Sequence, residues 1–395
     1  MTTFLPMTQE EAAHRGWREI DILLVTGDAY FDHPSHGAAL IGRVLERAGY
    51  RVGLIARPDW RSTRDFEALG RPTLFAGVTA GAVDSTLNNF TASGARRRTD
   101  VYAPGGGGGG RPDFATLVYA NRLRELYPGL PLVLGGVEAS LRRFAYFEPI
   151  KQTIRRSVLV DARADLLVYG SGEETVREIA DRLGRGESLA GIDGTARLVR
   201  ERQSVSADAL ELPDYEAIRN DRRQLVTATL MLERSGQPGF RRQMFQRHVE
   251  GIVLAEPPRR GSTAALDRLA ELAFSRDPHP GYRQTIPALE PVRWSVISHR
   301  GCPGGCSFCG LAAHQGRAVA PRSAEAVLEE LGRIARHPDF KGTISDIGGP
   351  TANAYGAVSR NPEHCLRCQR TSCLVPRRCR HLSTDHSALL DLLDR

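Results

Sequence analysis

The stretch "REIDILLVTGD" at residues 18–28 indicates how the chain begins to fold. It is a short apolar run that ends in turn-forming residues. A segment with helical periodicity, "HGAALIGRVLERAGY" at 36–50, follows it, and then a second apolar run, "RVGLIA" at 51–56. Apolar runs of this length around an amphipathic segment predict a strand, a helix and a strand. We therefore expect a βαβ unit to open the chain.

The same alternation continues along the first half of the sequence. Further strands are predicted at 73–78, 130–136 and 164–170, and helices at about 114–127 and 173–184. Strands that alternate with helices predict a parallel, doubly wound sheet with ligand sites at the carboxyl ends of its strands. Residues 205–245 are mostly polar and predict a helical excursion, residues 250–258 a strand, and residues 262–275 a capped helix.

The segment 94–112, "GARRRTDVYAPGGGGGGRP", contains six consecutive glycines. Glycine loses more backbone entropy on folding than any other residue, so such a run holds ordered structure poorly. A phosphate-binding loop is the weaker reading, because no strand precedes the run and no Lys-Ser/Thr follows it. The segment is predicted to be a flexible surface loop.

A proline-bearing stretch at 276–292 predicts a boundary between a domain at 1–290 and a second at 291–395. After it, "RWSVISHRG" predicts a strand, "SAEAVLEELGRIARHP" a helix and "FKGTISDIGGP" a second strand. The three form one β-loop-α-β unit. Its loop lies at the carboxyl end of the first strand, where (β/α) barrels carry their chemistry.

Composition places the chain among globular proteins of two or more domains, with 395 residues, 41% hydrophobic and 25% charged. No apolar run approaches the length of about 18 residues that a membrane helix needs, and the start does not resemble a signal peptide. A cytoplasmic protein without a membrane span is expected. The net charge of +7 comes from scattered arginines, so RNA or DNA binding is a weakly supported alternative.

All seven cysteines lie between residues 302 and 379, which predicts metal ligation in a reducing compartment rather than a disulfide scaffold. The first group is the CxxxCxxC loop "RGCPGGCSFCGL" at 300–311, with Cys302, Cys306 and Cys309. Three thiolates suit three irons of a 4Fe-4S cluster and leave the fourth iron open to a small molecule. Phe308 is expected to pack over the cluster. The alternative is a zinc site completed by His299 or His314.

The second group lies in a cysteine-rich insertion at 362–382. Its cysteines are Cys365, Cys368, Cys373 and Cys379. Four thiolates in so short a segment can close around zinc or a second 4Fe-4S cluster, and the spacing does not choose between them. Four unligated thiols among arginines would be an oxidation liability.

The CxxxCxxC loop with an aromatic residue before its last cysteine resembles the signature of the radical S-adenosylmethionine (radical SAM) superfamily. Five stretches together look like the YgiQ-type radical SAM proteins: "DILLVTGDAYFDHPSHGAALIGRVLERAGYRVGLIARPDW", "LPLVLGGVEASLRRFAYFE", "SHRGCPGGCSFCGLAAHQGR", "FKGTISDIGGPTANAYG" and "CLRCQRTSCLVPRRC". The resemblance covers nearly the whole chain.

This resemblance implies that SAM binds the open iron and is cleaved reductively to a 5′-deoxyadenosyl radical that acts on an unknown substrate. It implies an electron donor such as flavodoxin or ferredoxin. It also implies SAM contacts from Phe308, Gly348 and Gly349, although Pro350 stands where the superfamily usually has an acidic residue. The implied fold is a flavodoxin-like or cobalamin-binding-like domain followed by the first units of a partial (β/α) barrel.

Cobalamin itself is not expected, because "DHPSHG" at 32–37 departs from the Asp-x-His-x-x-Gly pattern of cobalamin-binding modules. Polar residues still follow two of the predicted strands, and they are expected either to form a pocket at the carboxyl edge of the sheet or to serve as loop polars and helix caps. They are Asp28, Asp32, His33 and His36 after the first strand, and Glu138, Arg142 and Arg143 after a later one.

A partial or full barrel needs roughly six to eight βα units, and the sequence shows two barrel strands before it ends in a helix, "DHSALLDLLDR". We therefore expect a truncated or split chain with an exposed parallel edge, and its own activity is left open. The competing function is a non-catalytic zinc or iron-sulfur module with a basic, RNA-binding surface.

Overall fold

The computed structural model describes residues 4–351, 354–384 and 387–394. The chain forms two compact units. Unit 1 comprises residues 1–228, 242–259 and 274–290, and unit 2 comprises residues 229–241, 260–273 and 291–395. The segments 229–241 and 260–273 thus fold with unit 2, although they precede residue 290 in the chain.

The strands of unit 1 are β1 Ile22–Thr26, β2 Val52–Ala56, β3 Phe75–Thr79, β4 Leu132–Gly135, β5 Tyr146–Glu148, β6 Thr153–Arg155, β7 Leu166–Val168, β8 Thr195–Val199, β9 Leu210–Glu211, β10 Met244–His248 and β11 Gly251–Ala255. The strands of unit 2 are β12 Ser295–Ile297, β13 His299–Arg300, β14 Ala320–Pro321, β15 Asp346–Gly348, β16 Val358–Ser359 and β17 Leu382–Ser383.

The helices, in chain order, are α1 Gln9–His14, α2 Gly37–Arg47, α3 Ser85–Asn89, α4 Ala115–Leu126, α5 Gly136–Leu141, α6 Val158–Asp161, α7 Glu173–Gly184, α8 Tyr215–Asn220, α9 Arg222–Ser235, α10 Thr263–Ala270, α11 Leu311–Gln315, α12 Ala324–Ala335, α13 Pro362–Arg367 and α14 Ser387–Leu393. Within the described ranges, no helix is long and apolar enough to cross a membrane. The predicted last helix is α14, while Asp385, His386 and Arg395 of that stretch lie outside the described residues.

A mixed, parallel-rich sheet of nine strands organises unit 1, in the order β2-β1-β3-β4-β7-β8-β11-β10-β9. The first five strands are parallel, with Leu24 of β1 opposite Leu54 of β2 and Gly77 of β3. The strand order reverses at β1, so β1 and β3 flank the position where open α/β sheets bind ligands. The predicted βαβ opening is therefore confirmed in this half of the sheet.

The expectation of a wholly parallel sheet is wrong for the other half. Strand β8 is antiparallel to both β7 and β11, and β11 is antiparallel to β10. Residues 249–250 join β10 to β11, and such a short connection can only link antiparallel neighbours. The predicted helical excursion at 205–245 contains α8 and α9, but it also contains β9 and the start of β10.

The core of unit 1 forms where α2 and α7 pack on the parallel strands. Ala39 and Leu45 of α2 and Ile179 of α7 are buried in one apolar cluster with Ile22 and Leu54. The apolar positions of α2 recur with the period of a helix, so one stripe of this helix meets the strands. Because this stripe is buried against the strands, its period appears in the sequence, and the first elements can be predicted from it.

Unit 2 is built around a strand, helix and strand. Strands β12 and β15 are parallel, with Ile297 opposite Gly348. Helix α12 packs on them through Val327 and Ile334, which are buried in one cluster with Val296. Ser323 caps this helix by accepting a hydrogen bond from the Ala326 amide (3.2 Å). The β-loop-α-β unit predicted after residue 291 is present, and it places the cysteine loop at the carboxyl end of β12.

The glycine-rich segment at 94–112 is tied down at several points. Thr99 bridges Gly107, and the Gly105 amide donates to the Thr285 carbonyl (2.8 Å). Arg111, which directly follows the six glycines, has a fully buried side chain. The segment therefore ends in a buried guanidinium, that of Arg111, beside the edge of the parallel sheet.

Candidate functional site

The three-cysteine loop is closed at its base by a short pair of strands. β13, at His299–Arg300, pairs with β14, at Ala320–Pro321, so the chain leaves and re-enters the sheet at one point. Gly301 lies at this closure with a φ of +85°, and an ideal Cβ there would stand 1.9 Å from the Ala318 carbonyl oxygen. Only glycine fits this position without displacement of the backbone.

This close approach gives a test in three alanine variants. Gly301→Ala combines a left-handed backbone with a backbone overlap, and we expect unit 2 to lose roughly 1–3 kcal/mol from the conformation alone, with the overlap adding to the loss. Gly342 has a similar φ (+89°) with nothing within 4 Å of its Cβ position, so Gly342→Ala isolates the conformational cost. Gly332 lies inside α12, where alanine stabilises by about 0.5–1 kcal/mol.

Hydrogen–deuterium exchange of the β12 and β15 amides measures these changes in the metal-free chain. The expected order of protection is Gly332→Ala, then Gly342→Ala, then Gly301→Ala. Equal protection in the Gly301 and Gly342 variants would contradict the tight closure of the loop.

Two of the three predicted cluster ligands flank Gly304. An ideal Cβ at Gly304 would stand 3.3 Å from the Sγ of Cys302 and 3.7 Å from the Sγ of Cys306, so the two sulfurs lie no farther apart than the sum of these distances. The Gly304 amide donates to the Cys302 sulfur (3.4 Å), and the Cys309 amide donates to the Cys306 carbonyl (3.1 Å). The glycine thus forms a cradle between thiols.

This cradle fits an iron-sulfur cluster. Cys302 is buried, Cys309 is half-buried and Cys306 is exposed, so the loop opens toward solvent on one side. Within the described residues, no three His, Cys, Asp or Glu side chains form a group that could hold a single metal ion. A cubane cluster does not require such convergence, because each thiolate binds a different iron.

The paired glycines at the end of β15 lie beside the root of the cysteine loop. The Ser298 amide donates to the Gly348 carbonyl (2.7 Å). An ideal Cβ at Gly349 would stand 2.5 to 2.7 Å from three ring atoms of His299, so the imidazole packs on the glycine backbone. Burial lowers the pKa of His299, and its Nε2 is 3.2 Å from the Thr351 carbonyl oxygen. The predicted glycine pair and the cysteine loop are therefore neighbours.

Phe308 is 91% exposed and extends from the loop into solvent. Its predicted packing over a cluster and its predicted contact with SAM stay predictions. The ring is nevertheless placed on the same loop as the three thiols, between Cys306 and Cys309.

The second cysteine set begins on α13, which carries Cys365. The Cys368 amide donates to the Cys365 carbonyl (3.4 Å), and the Cys379 amide donates to the Cys373 carbonyl (2.7 Å). Burial raises the pKa of the Cys373 thiol, the positive charge of Arg317 opposes this increase, and the other three cysteines of the set add to it. The four thiols are therefore close enough to interact electrostatically.

The structure joins the two cysteine sets, which sequence reasoning treats separately. The Cys373 amide donates to the Pro303 carbonyl (2.9 Å), and the Ser372 hydroxyl donates to the Gly304 carbonyl. Gly305 has a φ of +63°, and an ideal Cβ there would stand 2.1 Å from the Thr371 carbonyl oxygen. The second set thus packs directly on the backbone of the first loop, and no local signal in the sequence predicts this contact.

The polar residues predicted after β1 are engaged inside unit 1. Asp32 forms an ion pair with Arg43 (2.7 Å), and His33 Nε2 is 2.9 Å from Arg276 Nη1. His36 accepts the Ala39 amide as the N-cap of α2, as the helix-cap interpretation predicted. Its Nε2 is 3.9 Å from Asp28, and burial lowers its pKa.

The second polar group, after β4, is also partnered. Glu138 accepts the Ser85 amide (2.8 Å) and the Thr116 amide (3.1 Å). Arg142 pairs with Asp84 (2.7 Å), and Arg143 donates to the Ser140 carbonyl (2.5 Å). Internal hydrogen bonds and ion pairs therefore occupy both groups at this edge of the sheet.

Comparison with known proteins identifies the family. A family model described as "Radical SAM N-terminal" matches residues 4–295. UPF0313 protein GSU2873 of Geobacter sulfurreducens is 46% identical over 385 residues, which is 96% of this chain and 64% of that protein. The UPF0313 protein of Thermotoga neapolitana is 45% identical over 394 residues, which is 99% of this chain and 69% of that protein.

A solved structure shows a weaker likeness. The radical SAM methyltransferase TsrM of Kitasatospora setae, with tryptophan substrate and a SAM analog bound, matches 84% of this chain and 47% of its own at 17% identity and a TM-score of 0.47. The chain spans about two thirds of the length of the UPF0313 relatives (64% and 65% for two of them). From the family model and the UPF0313 relatives together, the chain belongs to the UPF0313 family of radical SAM proteins.

Proposed function

We propose that this chain belongs to a radical SAM enzyme and holds a 4Fe-4S cluster on Cys302, Cys306 and Cys309. The cradle at Gly304 carries the proposal, because the sulfurs of Cys302 and Cys306 lie 3.3 Å and 3.7 Å from the Cβ position of this one glycine, in the loop after β12. Three thiolates leave one iron for SAM. With the cluster and SAM bound, one electron from a donor such as flavodoxin or ferredoxin breaks the C5′–S bond of SAM and yields methionine and a 5′-deoxyadenosyl radical.

Residues of this chain beside the three-cysteine loop are proposed to bind SAM. Gly348 and Gly349 lie beside the loop, where they are proposed to contact the amino group of SAM. The Gly348 carbonyl also accepts the Ser298 amide, and the His299 ring packs on Gly349. Phe308 supplies an exposed ring and the adjacent backbone for the adenine. In the absence of an acidic residue at Pro350, backbone oxygens are the acceptors that the glycine segment offers.

The four cysteines from Cys365 to Cys379 are proposed to hold a second 4Fe-4S cluster. Zinc is the alternative, and it would require these side chains to converge more closely than they do within the described residues. Their thiols influence one another and lie against the first loop. The proposal includes a reducing, cytoplasmic location, because free thiols at both sets would otherwise oxidise. It includes no cobalamin, because "DHPSHG" lacks the expected spacing and His36 caps α2.

We also propose that β12, α12 and β15 are the first unit of a partial (β/α) barrel. The parallel pairing of β12 with β15 around α12 supports this proposal.

The test is anaerobic reconstitution of the chain with iron and sulfide, followed by electron paramagnetic resonance (EPR) of the dithionite-reduced protein with and without SAM. We expect a cluster signal that shifts when SAM is added, together with release of methionine and 5′-deoxyadenosine. A cluster signal that does not respond to SAM would contradict binding by this chain. A colourless protein with stoichiometric zinc would favour the non-catalytic module.

A further inference from the structure

Arg317 lies at the end of the three-cysteine loop and is almost completely buried, with 6% of its surface exposed. Its backbone amide donates to the Gly236 carbonyl (3.2 Å), and its Nη1 donates to the Arg370 carbonyl (3.0 Å). Arg370 belongs to the segment between Cys368 and Cys373. The guanidinium therefore reaches from the first cysteine loop to the second cysteine segment.

Two donors of this guanidinium have no partner. Within the described residues, Nε and Nη2 of Arg317 are buried and make no hydrogen bond. A buried cation with unsatisfied N–H groups is unfavourable unless an anion or an acceptor completes it. The surroundings of Arg317 thus point to a negatively charged group that occupies this place in the loaded protein.

The guanidinium of Arg317 contacts the segments that carry both cysteine sets. An ideal Cβ at Gly305 would stand 2.6 Å from Nη2, so this nitrogen lies against the backbone between Cys302 and Cys306. Nη1 of Arg317 donates to the carbonyl of Arg370, which lies between Cys368 and Cys373 of the second set. Thiolates that ligate metal are the anions that both neighbouring segments can supply.

A second buried arginine in unit 2 shows the contrast. Arg322 is also 6% exposed, but its Nη1 pairs with Glu330 (2.5 Å) and its Nη2 donates to the Ala326 carbonyl (2.7 Å). Its charge is compensated by a carboxylate within the fold. The two arginines are matched in burial and differ in the anion that faces them.

We propose that Arg317 is a shared counter-cation for two thiolate-ligated metal centres, one on each cysteine set, and that it joins them into a single assembly. The inference rests on the proposed function for the presence of the first centre. The positive charge lowers the cost of burying thiolates and favours the more negative, reduced form of an iron-sulfur centre. Arg317 is a positioning residue in this role, because no reacting atom touches it.

The experiment compares Arg317→Gln, Arg317→Lys and Arg322→Gln with the unchanged chain. Each protein is reconstituted anaerobically in two arms, one with iron and sulfide and one with zinc. Metal and sulfide per chain are measured before and after challenge with a chelator, and the midpoint potential of any iron-sulfur centre is measured by EPR-monitored titration. Circular dichroism records whether each variant folds.

We expect Arg317→Gln to retain metal on the order of 10-fold to 100-fold less tightly than the unchanged chain. Any iron-sulfur centre that remains should have a more negative midpoint potential. Arg317→Lys should recover part of both properties, because it restores the charge without the planar fork. Arg322→Gln should lose stability while its bound metal resists the chelator as in the unchanged chain.

Unchanged metal retention and potential in Arg317→Gln would overturn the inference. Equal metal loss in Arg322→Gln would also overturn it, since the loss would then follow from general destabilisation. The proposed function has its own readout, the response of the unchanged chain to SAM. A chain that ignores SAM but loses metal with Arg317→Gln would retain the inference for the second centre, and a chain that binds metal in neither arm would overturn both.

Discussion

Replacing Cys306 with alanine is expected to abolish the SAM-responsive EPR signal of the reconstituted chain. Cys306 is the exposed member of the three-cysteine set, and its sulfur faces the Gly304 cradle opposite Cys302. Removing one of three thiolates leaves an iron without its protein ligand, and the cluster can then no longer present a single open iron to SAM. The measurement is iron and sulfide content together with EPR of the reduced protein, with and without SAM.

The neighbouring Ser307 gives a matched control, because it is also exposed and lies in the same loop. Ser307→Ala should keep both the cluster and its response to SAM. A Cys306→Ala variant with an unchanged shift on SAM addition would assign the signal to other ligands.

The second large effect is expected in unit 1, where Arg111→Met should lower the free energy of unfolding by about 3–5 kcal/mol. Arg111 has a fully buried side chain that pairs with Asp28 (2.5 Å) and lies 3.7 Å from Asp100. Although burial lowers its pKa, the two carboxylates raise the pKa of Arg111 above its usual value. Methionine fills similar space but leaves the buried carboxylates without this cation.

Urea denaturation with hydrogen–deuterium exchange of the β1 and β3 amides measures this loss, because Asp28 and the Ala80 carbonyl bonded by Arg111 follow these strands. The exposed pair between Arg61 and Asp59 serves as the control, and Arg61→Ala should leave the free energy of unfolding nearly unchanged, because solvent screens this pair. Comparable losses in the two variants would mean that the buried network contributes no more than a surface ion pair.

The elements that can be predicted from the sequence are those whose hydrophobic pattern lies within one short stretch of the chain. The stretch from β1 to β2 has continuous apolar runs and a helix with one apolar stripe, and the structure confirms these elements. Strand β8 is not predicted, because Arg197 interrupts its apolar run and Leu198 is exposed. The first two residues of β10 fall in the segment predicted to be helical, because the pairing of β10 with β11 is a tertiary contact that periodicity does not show.

In the candidate site, too, features within a short stretch of sequence can be predicted, and contacts between distant residues cannot. The spacing of Cys302, Cys306 and Cys309 gave the loop and its candidate ligands directly from the sequence. The contact between Ser372 and Gly304 joins residues 68 positions apart, and no short window contains both. Arg317 likewise resembles the many other arginines of the chain until its burial and its missing partners are known. In the sequence, Gly305 is only one of several glycines in the loop. The structure shows that the distant Thr371 carbonyl leaves no room for a side chain at this position.

The hydrogen bonds between residues 303–304 and 372–373 also set an order for biosynthesis. The three-cysteine loop leaves the ribosome before the segment that packs on it, and the intervening 68 residues take roughly 3–14 seconds to translate. During that interval the carbonyls of Pro303 and Gly304 have no partner from the later segment. A nascent chain stalled before Cys373 would therefore present its first cysteine loop without the hydrogen bonds that residues 372 and 373 make with it.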